Sequence, residues 1–547
     1  MSVAKRAHAY PQARPAAGDL VDVAVATAPA GIAVGAALEL VRKRDARVVA
    51  AGERYALRED LVRAGLLGLA DLRAADVARE LPAVDARAGE VAVRRRLQAG
   101  APLVVVRGRG APVGAVAARS GGREPGASAA ARVARCVPSE TRALLESIGR
   151  LAGAQRARAF LVGGTVRDVW RETLIERRDL DIVVEGDGLA LARQLARDLG
   201  GTVVEHARFL TATVEAPGAG RIDVATARSE RYESRGALPR VLPATLDDDL
   251  MRRDFTINAM AIELQSGAFG LHDPLGGRMD LAARRLRVLH PLSYVEDPTR
   301  TFRAARYATR LGLTPDRAAV RAQALALRLV PYPALSGPRL VAEIERILAE
   351  ADPVTVLVRL GRAGVFRLLD ARYRFTGATR HRVEGLPAAL AWARGIGAPA
   401  ADLAALTLVG GQAGSVAAAA LARLAFAGER HGHLVRALDE GPADLAALGA
   451  AAAPSERARR LRERVPAALG WLWLNGDGRT RAVLEWYAAL APRLVELSGD
   501  DVVDLGVPRG PAVARVLAEL RDGRLDGRLT SRAMEVEHVR RWTENGG

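Results

Sequence analysis

The sequence predicts a multidomain protein in which α/β modules precede an all-α C-terminal half. Three observations carry this. The chain has 547 residues, 49% of them hydrophobic and 26% charged, enough to bury several cores in domains of ~100–200 residues. Apolar runs of strand length alternate with helix-period stretches from about residue 20 to Gly276. After Pro298 helix-period positions dominate, with Pro and Gly punctuating at 331–337, 386–400 and 507–511 and no convincing strand runs.

In the first module one order of elements recurs. Ala36–Arg44 is helix-like, Ala46–Ala51 reads as a strand, and a turn and a second helix follow. Glu90–Gln98 is again helical, and LVVVRGRGAPVGAVAA reads as strand, Gly-containing turn, strand. Two such copies about 55 residues apart form an internal repeat. The repeat resembles a tandem CBS-domain pair with both copies degenerate. That resemblance implies a module over 18–120 that binds an adenine nucleotide, assists tRNA docking, forms a homodimer or is purely structural. Ser120–Ala129 (SGGREPGASA) has linker composition.

Composition narrows the function. A single cysteine, Cys136, excludes an intrachain disulfide and a Cys-based zinc site. The eight histidines are scattered, with only His431 and His433 as near neighbours, so no histidine metal centre is expected. Arg423 interrupts the Ala-rich run after Ser415, so no membrane span is expected. The first residues, MSVAKRAHAYPQAR, lack the apolar core of a signal peptide, and the expected location is the cytoplasm. Net charge is +17, almost all of its basic part Arg. It is unevenly spread: residues 1–150 and 301–547 are each +9, whereas 151–300 are −1. A carboxylate-rich middle between basic flanks suits a cation site beside a polyanion-binding surface, although ordinary solvated charge gives the same tally.

The chemistry concentrates in that middle. In Phe160-Leu-Val-Gly163-Gly164-Thr-Val-Arg167-Asp168 an apolar strand meets two glycines and a helix-initiating segment. Backbone N–H groups can approach an anion there, with Arg167 as a charged donor. In Arg178-Asp179-Leu-Asp181-Ile-Val-Val two carboxylates share one face of a strand, about 6–7 Å apart. A hard divalent cation between them, magnesium or manganese, relieves their repulsion. An exposed strand edge, or the D-x-D of a nucleotide-sugar transferase, is written the same way. Gly220-Arg-Ile-Asp223-Val-Ala-Thr places a third carboxylate on another short strand. Two aspartates plus a third from a neighbouring strand can hold two metals about 3.5–4 Å apart that activate a hydroxyl nucleophile.

The fourth segment is Arg252-Arg253-Asp254-Phe-Thr-Ile-Asn258-Ala-Met-Ala. GGTVRD, DLDIVV, RRDFTINAMA and Glu296-Asp297-Pro-Thr-Arg300, in this order, resemble the tRNA nucleotidyltransferase and bacterial poly(A) polymerase family, most closely class II CCA-adding enzymes and their A-adding relatives. The match covers about 145–320 and extends weakly towards the C-terminus. It implies a polymerase-β-type head with a mixed sheet over 140–290, a helical neck over 291–350, and a helical body and tail over 351–547 that bind tRNA. By the same resemblance Asp179 and Asp181 are the metal-binding pair for two ions, and Asp223 is the third carboxylate and candidate base. Gly163, Gly164, Arg167 and Asp168 form the triphosphate loop, and Arg253, Asp254 and Asn258 hold ribose and phosphates. Asp297 and Arg300 read the edge of an incoming ATP or CTP base, a role their acceptors and donors suit.

The stretch Asp297–Gly312 reads as a helix with Arg300, Arg303, Arg306 and Arg310 on one side and Phe302, Ala305 and Thr309 on another. Arg303 and Arg306 are therefore expected to meet phosphate or tRNA. The segment from Arg228 to Val241 reads as a mobile loop that, in relatives, governs the step from C to A addition. Its presence argues against a purely CC-adding enzyme. Relatives with CBS pairs often carry a DHH phosphoesterase module; the chain has no Asp-His-His run, so that nuclease activity is not expected. The expected reaction is transfer of CMP, AMP or both to the 3′ end of tRNA. The rivals are a poly(A) polymerase acting on general RNA ends and a nucleotide-sensing CBS protein with an inactive head.

Overall fold

The computed structural model describes residues 15–117, 126–175, 179–265, 269–450, 453–490 and 494–545. Most of the linker expected at 120–129, the N-terminal stretch and Arg178 lie outside them. Gly126–Cys136, partly assigned to that linker, is helical. The chain divides into two compact units at Leu335/Ser336, inside the stretch expected to form the neck.

The first unit begins with the repeat. β1 (Val25–Ala28), α1 (Val34–Lys43), β2 (Val48–Ala51), β3 (Arg54–Leu57) and α2 (Arg58–Leu66) form the first copy. β4 (Ala83–Asp85), α3 (Glu90–Gln98), β5 (Leu103–Gly108) and β6 (Ala111–Ala117) form the second. Each copy builds a three-stranded sheet from a parallel pair joined through a helix and an antiparallel hairpin. β3 goes beyond the sequence reading, which passed from β2 through a turn to a helix. Its alternation is hidden because Tyr55, Ala56 and Leu57 are all buried. The sheets share a core of Val48, Ala50, Tyr55, Leu57, Leu103 and Val105.

The head starts with α4 (Gly126–Cys136) and α5 (Ser139–Ala154), then β7 (Arg158–Val162), α6 (Gly164–Trp170), β8 (Asp179–Glu185) and α7 (Gly188–Asp198). β9 (Thr202–His206), β10 (Thr211–Ala216) and β11 (Gly220–Thr226) follow as a meander. After them come β12 (Arg228–Arg231), β13 (Arg240–Pro243), α8 (Leu246–Met251), β14 (Ala261–Glu263), β15 (Leu271–His272) and α9 (Gly277–Ala282). Seven strands form one mixed sheet, ordered β15-β14-β7-β8-β11-β10-β9. Only β8 and β11 pair in parallel.

Period-2 alternation decides what each face carries. Leu180, Ile182 and Val184 of β8, with Ile222 and Val224 of β11, enter the larger core, where they meet Leu191 and Leu195 of α7 and Leu145 and Ile148 of α5. The residues between them, including Asp179, Asp181 and Asp223, stand on the opposite face. That face carries a smaller cluster of Phe160, Val162, Val183, Leu246 and Leu250.

The unit ends in β16 (Arg285–Leu286), α10 (Ser293–Glu296), α11 (Arg300–Arg310), β17 (Thr314–Pro315) and α12 (Arg317–Arg328). Beyond Pro298 the two-residue β17 is the single strand among the described residues, so the helical reading of this half stands with that small exception. α11 starts three residues later than expected. Asp297 is extended and Pro298 resists helix behind it, so the Asp297 carboxylate instead accepts from the Thr299 N–H (3.0 Å) and hydroxyl (2.6 Å).

The second unit is helical throughout its described residues. Its densest packing joins Gly377–Arg394, Ala400–Val409 and Pro466–Asn475, and every described residue of the middle helix from Ala401 to Val409 is buried. No helix among the described residues is long and apolar enough to cross a membrane.

Candidate active site

Asp179 and Asp181 lie on one face of β8 and are both exposed, while Leu180 between them is buried. β11 runs parallel beside them in a register that sets Asp223 opposite Asp181 and Arg221 opposite Asp179. The three carboxylates therefore share one face. Asp223 is the most restrained: its Oδ1 accepts from the Thr213 hydroxyl at 2.6 Å, and Arg221 Nε lies 3.1 Å from Oδ2. The carboxyl of Asp181 titrates above the usual range. Its protein surroundings disfavour charge, and Asp223 and Asp179 add repulsion that Arg253 only partly offsets.

This donor set fits a hard cation, since two neighbouring carboxylates with mutual repulsion gain most from one. Among the described residues no three or more His, Cys, Asp or Glu side chains stand together as a metal-holding group. Thr213 and Arg221 hold Asp223 beside the pair, on the same face. Asp179 and Asp181 remain the candidate ligands. Such a number suits magnesium, which commonly takes one or two carboxylates and completes its shell with phosphates and water.

The glycine turn lies beside Asp181. Gly163 leaves β7 with φ 73° and ψ −136°, a conformation that side chains avoid, and α6 begins at Gly164. A Cβ built on Gly163 would lie 3.1 Å from Asp181 Oδ2 and 3.6 Å from Arg253 Nη1. The turn thus abuts the Asp181 carboxylate, with one Arg253 nitrogen near the same point.

Arg167 behaves differently from the expectation of a free phosphate donor. It is 5% exposed. Its guanidinium donates to Asp168 at 2.9 and 3.0 Å and to Asn258 Oδ1 at 3.0 Å, and it lies over the Tyr307 ring. Asn258 in turn donates to Asp254 at 3.0 Å, and Asp254 receives Arg303 at 2.6 and 2.8 Å. Burial pushes the Asp254 carboxyl up, but Arg303 and Asn258 outweigh that and hold it below the usual range. Arg167, Asp168, Asp254, Asn258 and Arg303 are thus brought together as a partly buried, hydrogen-bonded floor. Arg303, expected on a phosphate-facing stripe, is committed to that floor.

The side of α11 that packs inward also differs from expectation. Thr301, Phe302, Ala304 and Ala308 are buried, whereas Ala305 and Thr309 are half-buried. Arg300 is only 6% exposed and donates to Ser293 Oγ at 2.9 Å and to the Arg252 carbonyl oxygen at 2.8 Å. Arg306 is half-buried. The bonds of Arg300 to Ser293 and to the Arg252 main chain, with Glu296 nearby, keep it off any solvent stripe.

Several site residues were not singled out in the sequence. Asp249 of α8 is fully buried and binds both arginines of the Arg252-Arg253 pair, at 2.6 Å and 2.9 Å. Burial raises its carboxyl but the two guanidinium groups outweigh this and hold it low. Three consecutive acids at 247–249 read as an ordinary acidic first turn, and only the burial of Asp249, with Asp247 and Asp248 exposed, marks the third. Of the stretch expected to be a mobile loop, the ends pair as an antiparallel ribbon of β12 and β13, and residues 232–239 connect them without strand or helix. It is pinned by Tyr232, which is 7% exposed and donates to Glu230 at 3.0 Å, and by the Gly236 N–H on the Glu296 carbonyl at 3.1 Å.

Residues 159–287 match the poly A polymerase head domain family. The chain is 32% identical over 415 residues to an A-adding tRNA nucleotidyltransferase of Geobacter sulfurreducens, an alignment covering 74% of this chain and 47% of that protein. Over 398 residues it is 37% identical to a CC-adding tRNA nucleotidyltransferase of Deinococcus radiodurans, covering 72% of this chain and 91% of that protein. The chain belongs to the tRNA nucleotidyltransferase family. The fold agrees. A CCA-adding enzyme in an apo form superposes with a TM-score of 0.66 at 27% identity, over 76% of this chain and 98% of that one. A Thermotoga maritima CCA-adding enzyme complexed with tRNA gives 0.61 at 25%, over 77% and 99%. The chain spans about half the length of its A-adding relatives from Geobacter and Halalkalibacterium, 47% and 56% respectively. The head-domain match runs from β7 to β16, so it contains the carboxylates, the glycine turn and the Arg253–Asn258 segment, while Asp297, Arg300, Arg303 and Arg306 follow it.

Proposed function

We propose that this chain adds CMP, AMP or both, from CTP and ATP, to the 3′ end of tRNA without a template and with release of pyrophosphate. The observation that carries the proposal is the shared face of Asp179, Asp181 and Asp223 beside the Gly163 turn. The relatives named as A-adding and CC-adding enzymes, and the likeness to CCA-adding enzymes, support it.

In this reading Asp179 and Asp181 hold two divalent ions, magnesium or manganese, whose charge would favour an ionised primer hydroxyl and a departing pyrophosphate. Asp223, fixed by Thr213 and Arg221, faces the primer hydroxyl and can take its proton. The Gly163–Gly164 turn lets the triphosphate approach the backbone, and Arg253 supplies a guanidinium nitrogen there. Arg167, Asp168, Asp254 and Asn258 keep that surface rigid from below. Asp297 and Arg300 select the base, and Arg306 meets phosphate.

The parts follow the same reading: a CBS-like pair over 18–120, a head over 140–290, a neck over 291–350 and a tRNA-binding body and tail over 351–547. The pair could join two copies into a homodimer, and the expected setting is the cytoplasm. Incubation with magnesium, labelled ATP or CTP, and tRNA ending in the discriminator base, in C and in CC tests the proposal. Addition stopping after one to three nucleotides supports it, and the starting ends that are extended identify the nucleotide preference. Continuous tailing would replace it with poly(A) synthesis. No extension of any end would refute it.

A further inference from the structure

The N-terminal repeat reaches the base-selecting segment through charge. Asp60 and Arg63 lie on α2 of the first copy, and Asp60 is fully buried. Arg79 donates to both Asp60 oxygens, at 2.6 and 2.9 Å, and also to the Leu289 carbonyl oxygen at 3.1 Å, just before α10. Arg63 Nε lies 3.2 Å from Oε1 of Glu296, the last residue of α10. The other oxygen of Glu296 faces His290 Nε2 at 3.2 Å and Arg300 Nη1 at 4.0 Å. Glu296 is 6% exposed, and it is followed immediately by Asp297.

Burial of Glu296 would raise its carboxyl, yet His290, Arg63 and Arg300 hold it down at about 2. It is therefore an anion shared between the N-terminal module and Arg300. Buried pairs of this kind contribute little net stability, and their best-attested use is to fix register. Two further ion pairs, Arg328 with Asp76 at 3.0 Å and Arg321 with Glu80, tie the same module to α12. The register being fixed is that of α10 and the start of α11.

We propose that Arg63 is a positioning residue for nucleotide selection: through Glu296 it sets where Asp297 and Arg300 stand, so the N-terminal module tunes which base is accepted. This rests on the reading that Asp297 and Arg300 select the base. Without Arg63, Glu296 keeps only His290 and Arg300 as partners. Arg300 is then drawn towards it and away from Ser293 Oγ and the Arg252 carbonyl oxygen, which now hold its fork in place.

The test is single-nucleotide incorporation by the full chain, comparing kcat/KM for each of the four triphosphates on one tRNA primer. Arg63→Met should lower the ratio of favoured to disfavoured nucleotide about tenfold, while kcat for the favoured one changes less than about threefold. Arg63→Lys, which keeps the charge, should restore most of that ratio. Glu296→Gln should reproduce the loss, and adding Arg63→Met to it should cost little more. Arg300→Ala, run beside them, separates the two ideas. If Arg300→Ala loses selectivity and Arg63→Met keeps it, the coupling is overturned while base selection stands. If Arg300→Ala keeps selectivity, base selection by this segment fails and the coupling falls with it. Equal loss in Arg63→Met and Arg63→Lys of turnover alone, with the ratio unmoved, also overturns the coupling.

Discussion

The Asp181 carboxylate closes over Gly163: a side chain of even one carbon at Gly163 would meet it at 3.1 Å. The glycine is required twice, by that approach and by its φ of 73°. Gly163→Ala is therefore expected to cost about 1–3 kcal/mol of stability and to reduce nucleotide addition by more than about tenfold. Thermal melts and primer-extension rates on the same preparation check both, and activity within twofold of the parent would show that the turn does not shape the site.

Replacing either β8 carboxylate separates activity from folding. Asp179→Ala and Asp181→Ala should abolish transfer while leaving the far-ultraviolet dichroism unchanged. Near-normal turnover in either would remove the metal-ligand assignment.

Asp181→Asn carries a pH signature. The native carboxyl titrates above its unfolded value because its surroundings disfavour charge and Asp223 and Asp179 repel it. Whatever it contributes to stability is present in full below the unfolded value and is lost as pH rises through the native one. The variant should therefore melt higher than the parent at neutral pH, with the advantage shrinking towards acid. A constant difference across pH would contradict the repulsion described at Asp181.

Asp254 should show the opposite dependence. Its native carboxyl is held low by Arg303 and Asn258 despite burial, so its contribution is present above the unfolded value and lost as pH falls through the native one. Asp254→Asn is expected to cost about 3 kcal/mol at neutral pH, because Arg303 loses its anion beside a 6%-exposed site. Urea titrations at pH 7 and near pH 3 should show the gap narrowing.

Asp249 tests how the arginine pair is held. With Asp249→Ala, Arg252 and Arg253 lose their common anchor, and kcat/KM for the nucleotide should drop about tenfold to a hundredfold. A change confined to stability would mean that Arg253 keeps its place without it.

What could be read in advance follows the range of the interactions. The β8 carboxylates were legible because strand periodicity alone puts residues 179 and 181 on one face, and Gly163 because a strand runs straight into it. The sheet register that sets Asp223 opposite Asp181 was open to a guess from one carboxylate among apolar neighbours. The fate of the arginines was not legible. Arg167 turns inward because Asn258 and Tyr307, distant in sequence, offer it an acceptor and a ring. Arg300 likewise meets Ser293 and the backbone of Arg252. A guanidinium reads the same in sequence whether it waits for phosphate or is already satisfied. β3 and the β12–β13 ribbon escaped for a related reason, since both are fixed by tertiary partners rather than by their own alternation.

The ribbon's bond from Gly236 N–H to the Glu296 carbonyl oxygen joins main chain to main chain. Substitution of side chains around this bond leaves both atoms in place, but position 236 itself calls for glycine: its φ is 77°, and a Cβ there would lie 3.2 Å from Leu335 Cβ and 3.3 Å from Tyr332 Cδ1. The rest of the segment can thus drift widely in composition while the same strut endures, provided the glycine at 236 is kept.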